Sequence, residues 1–266
     1  AVDNIATVEY FPEAPRLYVS DAKNATSTGY IQGKGYSLDY NDQLLGKDQT
    51  AFVVYRASEA YLNYIEASYL KNGNIDATAD KYWKALRARA GVDTDYQKTI
   101  NATDMSKEAL NGWDAYSHGA LVDATLYNIR RERRCEYISE GLRWMDLCRW
   151  RAMDQMTVTP YVPGGMHLWN TPMERWYDDS KGNTTLVYGT DKANVSSPND
   201  SEYLLPYRKT ANQLAYEGFV WKMAHYLDPI RIDQFQITST DGKNIETSPI
   251  YQNPYWPTTA DMAAEK

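Results

Sequence analysis

The hydrophobic and polar positions of this chain are most regular between residues 50 and 153, and there they predict helices. Over residues 50–70, Ala51, Tyr55, Ala60, Leu62, Ile65, Ala67, Tyr69 and Leu70 recur at helical spacing and predict broad burial. Asp48 or Thr50 is placed to cap the start, and Asn72 with Gly73 supplies a left-handed stop. A second helix follows at once. Asp76 and Asp80 suit its first turn, where carboxylates complement the helix dipole. Tyr82, Ala85, Leu86 and Arg89 continue it, and Ala90 with Gly91 ends it. Residues 106–115 predict another short helix. Asp123 then caps a long helix through Glu140, Gly141 breaks it, and residues 142–153 form the next.

Elsewhere the periodicity is weak. Residues 1–48 are rich in Pro and Gly, with some alternation over residues 36–40 that suits a short strand. Residues 157–215 lose regular spacing and carry Gly164, Gly165 and five prolines among Trp169, Trp176 and several tyrosines. A loop this long is uncommon in a compact domain and points to function or to ordering by packing. Residues 213–225 can hold a short helix, and the remainder reads as extended segments with turns.

The stretch over residues 128–150 breaks the usual amphipathic rule. Val122, Leu126, Ile129 and Tyr137 share a helix face with Arg130, Arg133 and Glu140. Such a face must meet water or bury paired charges. Glu136 lies three residues after Arg133, within helical reach. After Gly141 the pattern repeats with Leu142, Met145, Asp146, Arg149 and Met153. Charges set among Leu, Ile and Tyr indicate helices packed on more than one side.

The helix pair over residues 50–91 also fits a tetratricopeptide-like hairpin in part. Leu62, Ile65, Tyr69, Tyr82 and Ala85 take its packing positions. Glu66 and Thr78 stand where small residues are usual, and the closing proline is missing.

The charged stretch resembles the signature of SusD-like (RagB/SusD) nutrient-binding proteins, matched here by Glu132, Arg133, Arg134, Glu136, Glu140, Gly141, Arg143, Asp146, Leu147, Arg149 and Trp150. Further matches precede it at Arg56, Ala57, Glu59, Leu62, Glu66 and Ala67, and at Arg87, Arg89, Ala90 and Gly91. Others follow at Tyr226, Leu227, Pro229, Ile230, Gln252, Asn253, Pro254 and Trp256. Ser58, Ile65, Lys84, Arg231 and Tyr255 depart from the pattern; Tyr255 replaces a glycine, which allows the final turn a different backbone. The matches run in the family's order from Tyr55 to Trp256.

The resemblance implies a mainly α fold with tetratricopeptide-like hairpins, long loops and minor β-structure. It also implies a single C-terminal domain or fragment over residues 1–266: a helical core at 50–153, a loop-rich insert at 157–215 and an extended segment at 216–266. A precursor with a lipoprotein signal, a lipidated cysteine and roughly as much chain again ahead of this sequence is expected. The implied function is non-catalytic capture of oligosaccharide at the outer membrane of a Bacteroidetes-type bacterium, for delivery to a SusC-like TonB-dependent transporter. Some relatives take peptides. Membrane contact would come only through the lipid anchor. Glu132, Arg133, Glu136, Glu140, Arg143, Asp146 and Arg149 are expected to be structural ion pairs, not ligand contacts.

Composition narrows the chemistry. Hydrophobic residues make 43% and charged residues 24% of the 266, which is globular. A net charge of −7 argues against a nucleic-acid partner, since phosphate binding needs a basic surface. The chain holds 23 Tyr and 8 Trp but only 4 Phe. Tyr and Trp carry a polar handle, so the excess suits half-wet surfaces, including those that stack on sugar rings. No run reaches the ~18 apolar residues of a membrane span. The first ten residues show no signal-peptide pattern. Cys135 and Cys148 flank the Glu140–Gly141 break, where a bridge could form; two separate buried thiols is the reading adopted.

His118, His167 and His225 lack metal-ligand spacing, and no metal or other cofactor is expected. No nucleophile elbow or phosphate-cradling loop appears. A glycoside hydrolase would need two opposed carboxylates, with Glu174, Asp178 and Asp179 beside Trp169 and Trp176 as candidates. Calcium on Asp178, Asp179 or Asp191 lacks an EF-hand pattern. A helical-repeat scaffold without a small ligand is the other alternative. The glycan platform favoured by the loop aromatics comprises Trp169, Trp176, Tyr30 and Tyr36, with Asn170, Asp178 or Arg175 as hydrogen-bonding partners.

Overall fold

The computed structural model describes Leu17, residues 26–30, Lys34, residues 53–259 and residues 261–266. Tyr36, the strand expected over residues 36–40 and the caps expected at Asp48 and Thr50 lie outside these. The described chain is helical, with one two-stranded ribbon.

Helix α1 spans Ala57–Asn72, later in the chain than its pattern predicts, and Arg56 precedes it without a side-chain cap. Gly73 ends it at φ 69°. The buried positions are Ser58, Leu62, Ile65, Glu66 and Ser68, while Tyr55, Ala60, Ala67 and Leu70 are exposed. The buried face therefore holds polar residues, and the apolar residues on its flank misled the pattern. Helix α2, Ala77–Arg89, starts at Asp76, whose carboxylate accepts from the Thr78 and Ala79 amides. Its inward residues are Ala79, Trp83 and Leu86, while Ala85 is exposed. The two helices form the expected hairpin, joined by Tyr61 and Tyr82 stacked 4.3 Å apart.

Helices α3 (Tyr96–Asn101) and α4 (Met105–Asn111) follow, then the ribbon β1 (Tyr116–Ser117) and β2 (Ala120–Leu121), paired antiparallel. Asp123 caps α5, Ala124–Glu136, through the Thr125 and Leu126 amides. The helix stops four residues before the predicted Glu140. Helix α6 is only Arg143–Arg149. Helix α5 packs on both α1 and α3, closing a core of Leu62, Ile65, Trp83, Leu86, Ile100 and Ile129. A second core, around Leu147, Trp150, Met153 and Trp221, ties α6 to the C-terminal part. A third, around Leu168, Trp169 and Val195, lies under the long loops, so that region is ordered by its own packing.

The C-terminal part is less extended than expected, because α7 spans Ile232–Thr238. Only a short 3-10 turn, Met223–Tyr226, forms where a helix over residues 213–225 was predicted. The two signature segments here clamp one another. Gln252 accepts from the Ile230 amide at 2.7 Å and donates to its carbonyl at 2.9 Å. Asn253 donates to the Asp228 carbonyl at 2.7 Å, and Trp256 to the Leu227 carbonyl at 2.8 Å. Tyr255 takes φ 68°, the left-handed backbone that glycine adopts without strain. The thiols are free, but Cys135 is exposed and Cys148 half-buried, not both buried as expected.

Candidate functional site

Most charged residues of α5 and α6 are paired, and their partners come from several neighbouring segments. Glu132 accepts from the Trp83 indole and from Arg87, both at 2.9 Å. Glu136 takes Arg56 and Arg89. Arg133 donates from Nε to both oxygens of Asp146, at 2.8 and 2.7 Å, and from its terminus to Asn63 at 2.8 Å. Arg149 grips Glu66 with two bonds of 2.7 Å, and the Trp150 indole completes Glu66 at 2.6 Å. Glu66, Arg133 and Asp146 are buried. Such residues connect helices and leave little for a ligand. Arg130 is buried beside them and donates to the Asp114 and Tyr116 carbonyls. Burial depresses its guanidinium pKa to about 10.

Glu140 carries a pH consequence. Burial alone would raise its carboxyl pKa, but Lys34 and Arg56 more than reverse this and hold it below its ordinary 4.5. On acidification the unfolded chain therefore takes up this proton first. The stability from Glu140 is present above its ordinary pKa and is lost as pH falls through the folded value. Glu140→Gln is expected to flatten the fall in urea midpoint between about pH 5 and pH 3. An unchanged pH slope would contradict this.

The loop aromatics divide sharply. Trp169 is 4% exposed, seated in the third core and edge-on to Tyr188 at 5.2 Å. Trp176, on a 3-10 turn spanning Pro172–Tyr177, is 57% exposed, and Tyr30 is 66% exposed. Asn170 is exposed; its amide N–H donates to Glu174 and its side chain to Glu202 at 3.1 Å. Asp179 closes its own turn by accepting from the Lys181 and Asn183 amides. Asp178 is exposed next to it. Glu174 and Asp179 thus serve local turns. Among the described residues, no group of three or more His, Cys, Asp or Glu side chains is placed to hold a metal ion.

A cavity of about 520 Å³ brings together residues that the linear pattern did not join. Trp113, Tyr161, Tyr207 and Phe219 supply aromatic walls, and Arg134 and Arg143 reach it from α5 and from the start of α6. Trp113 meets Tyr161 edge-on at 4.4 Å, and Tyr207 meets Phe219 edge-on at 5.0 Å. Tyr161 and Phe219 are locked by two backbone hydrogen bonds of 2.8 Å. Gly218 permits this approach: its φ is 99°, and a Cβ there would lie 2.9 Å from the Tyr161 carbonyl oxygen. Gly165 lets the segment of residues 26–30 close over the other side. A Cβ at Gly165 would collide with the Thr28 carbonyl, and the Met166 amide donates to that carbonyl at 2.8 Å. Beneath the arginines lies Asp114, fully buried, accepting from each at 3.3 Å. Sequence reasoning noted Arg134 only as a signature match and Arg143 only as a signature and ion-pair residue. The convergence at this cavity depends on three distant chain segments.

No curated protein and no solved structure matches this chain. The model of the SusD family matches residues 5–256. Members of that family are non-catalytic nutrient-binding proteins of carbohydrate utilisation. With a match over most of its length, and with the helical hairpin locked by ion pairs to the α5–α6 pair, the chain belongs to the SusD family.

Proposed function

We propose that this protein captures oligosaccharide at the outer-membrane surface and passes it to a SusC-like TonB-dependent transporter, held there by a lipid anchor. The family match over residues 5–256 carries this reading. Its geometry supports a binding role: wet aromatic rings stand on loops that rest on rigid cores. Trp176 and Tyr30 offer open ring faces, Asn170 and Asp178 offer polar groups nearby in the chain, and Trp169 steadies the loop from below. Tyr36, outside the described residues, belongs to the same proposed platform.

Calorimetric titration of the intact protein with a panel of neutral and acidic oligosaccharides tests this. At least one glycan is expected to bind, and the Trp176→Ala, Tyr30→Ala double variant is expected to weaken that binding by about tenfold or more, given roughly 1–3 kcal/mol per stacked ring. Unchanged affinity in the double variant sinks the platform. No binding by any glycan sinks the oligosaccharide reading.

A further inference from the structure

We propose that the cavity between Trp113, Tyr161, Tyr207 and Phe219 takes a hexuronate, a sugar bearing a carboxylate, with Arg134 and Arg143 receiving the acid. This rests on the oligosaccharide reading and names a substrate class for it.

The charge balance of the cavity comes first. Two guanidinium groups share one carboxylate, Asp114, and each reaches it by a single bond of 3.3 Å. A guanidinium has five N–H donors, so donors remain on Arg143 and, beyond its further bond to Tyr127, on Arg134. Their side chains are 35% and 36% exposed, toward the cavity. Asp114 is fully buried and cannot neutralise both. One positive charge remains, on a chain whose net charge is −7. A local positive site on an acidic protein favours a small anion there and repels anions elsewhere.

The shape selects among anions. Arginine's planar fork matches a carboxylate with two parallel bonds. Aromatic walls suit the C–H faces of a pyranose, and a volume of about 520 Å³ lies within the usual range for small-ligand sites. The Tyr161 phenol lies in the field of both arginines. A neutral sugar would leave the residual positive charge unmatched; a bare anion would leave the aromatic walls unused.

Titration of the intact protein with digalacturonate and with its uncharged dimethyl ester tests this without any variant. The acid is expected to bind at least about tenfold more tightly than the ester, as for hydrogen bonds to charged groups, and to weaken as salt is raised. Arg143→Gln and Arg143→Lys are both expected to lower affinity for the acid, the first about tenfold or more, and to leave the ester unchanged. Thermal unfolding of each variant checks that it is folded. Equal binding of acid and ester overturns the proposal, as does an acid affinity that is insensitive to Arg143 in folded variants. If neutral oligosaccharides bind and digalacturonate does not, the hexuronate assignment falls while oligosaccharide capture stands. If no glycan binds, both fall.

Discussion

Replacing Glu66 by Ala should destabilise the protein by about 1–3 kcal/mol, because it leaves the buried Trp150 indole N–H without its acceptor and removes one of the two carboxylates that hold the partly exposed Arg149. Glu66 is 3% exposed and accepts two bonds from Arg149 and one from Trp150. Its position explains a misfit of the tetratricopeptide pattern. A small residue there would let the helices of the hairpin approach closely; here the side chain reaches across to α6. The Arg149 guanidinium also lies 4.8 Å from the Trp150 ring centre, and Arg130 lies 4.7 Å from it. Removing the carboxylate would leave Asp146, 2.9 Å from Arg149 Nε, as the counter-charge beside this ring. The measurement is urea unfolding of Glu66→Ala beside Glu66→Leu, Arg149→Met. The double change removes both charges and should recover part of the loss, since an apolar pair of similar volume often equals a buried ion pair. A cost below about 1 kcal/mol for the single change would mean that water already reaches Glu66.

Trp83→Ala should cost about 3–5 kcal/mol, by a different route. The ring is 1% exposed and stacks on Tyr96 at 4.2 Å with planes 1° apart. It joins α2 to α3 and, through its N–H, to Glu132 on α5. Trp83→Phe keeps the stack and loses the hydrogen bond, so about 1 kcal/mol separates it from wild type by that bond alone. Chemical denaturation of the three proteins ranks wild type, Phe, then Ala. An Ala variant as stable as the Phe variant would show that the cavity collapses and that packing at this site is loose.

These two residues show how far the linear pattern reaches. Asp76, Gly73, Gly91 and Asp123 were legible, because caps and stops act within a few residues and need no tertiary partner. The hairpin was legible for the same reason. Its inner face was not. Ala85 was assigned inward and is exposed, while Trp83 fills the core. Helix α1 was expected to bury Ala60 and Leu70, yet Ser58, Glu66 and Ser68 are inside. Hydrophobicity alone misplaces such a face, because these polar groups are buried only where a partner from another helix satisfies them.

The aromatic loops gave the same lesson in reverse. Trp169 and Trp176 sit seven residues apart in similar text, yet one is core and the other wet. Neither composition nor spacing separates them, since the choice depends on which ring lies over the cluster formed by Leu168, Val195 and Leu204.

The sequence by itself determined the caps at Asp76 and Asp123, the stops at Gly73 and Gly91, the charged pair of helices and, through the signature residues, the family. Those are set by local hydrogen bonding and by residue identities in order along the chain. Only the tertiary structure decided which carboxylate answers which arginine, which ring faces water and that Arg134 and Arg143 share one buried Asp114. Pairing and burial are contacts between segments far apart in the chain, 84 residues in the case of Glu66 and Trp150, and no local rule contains them.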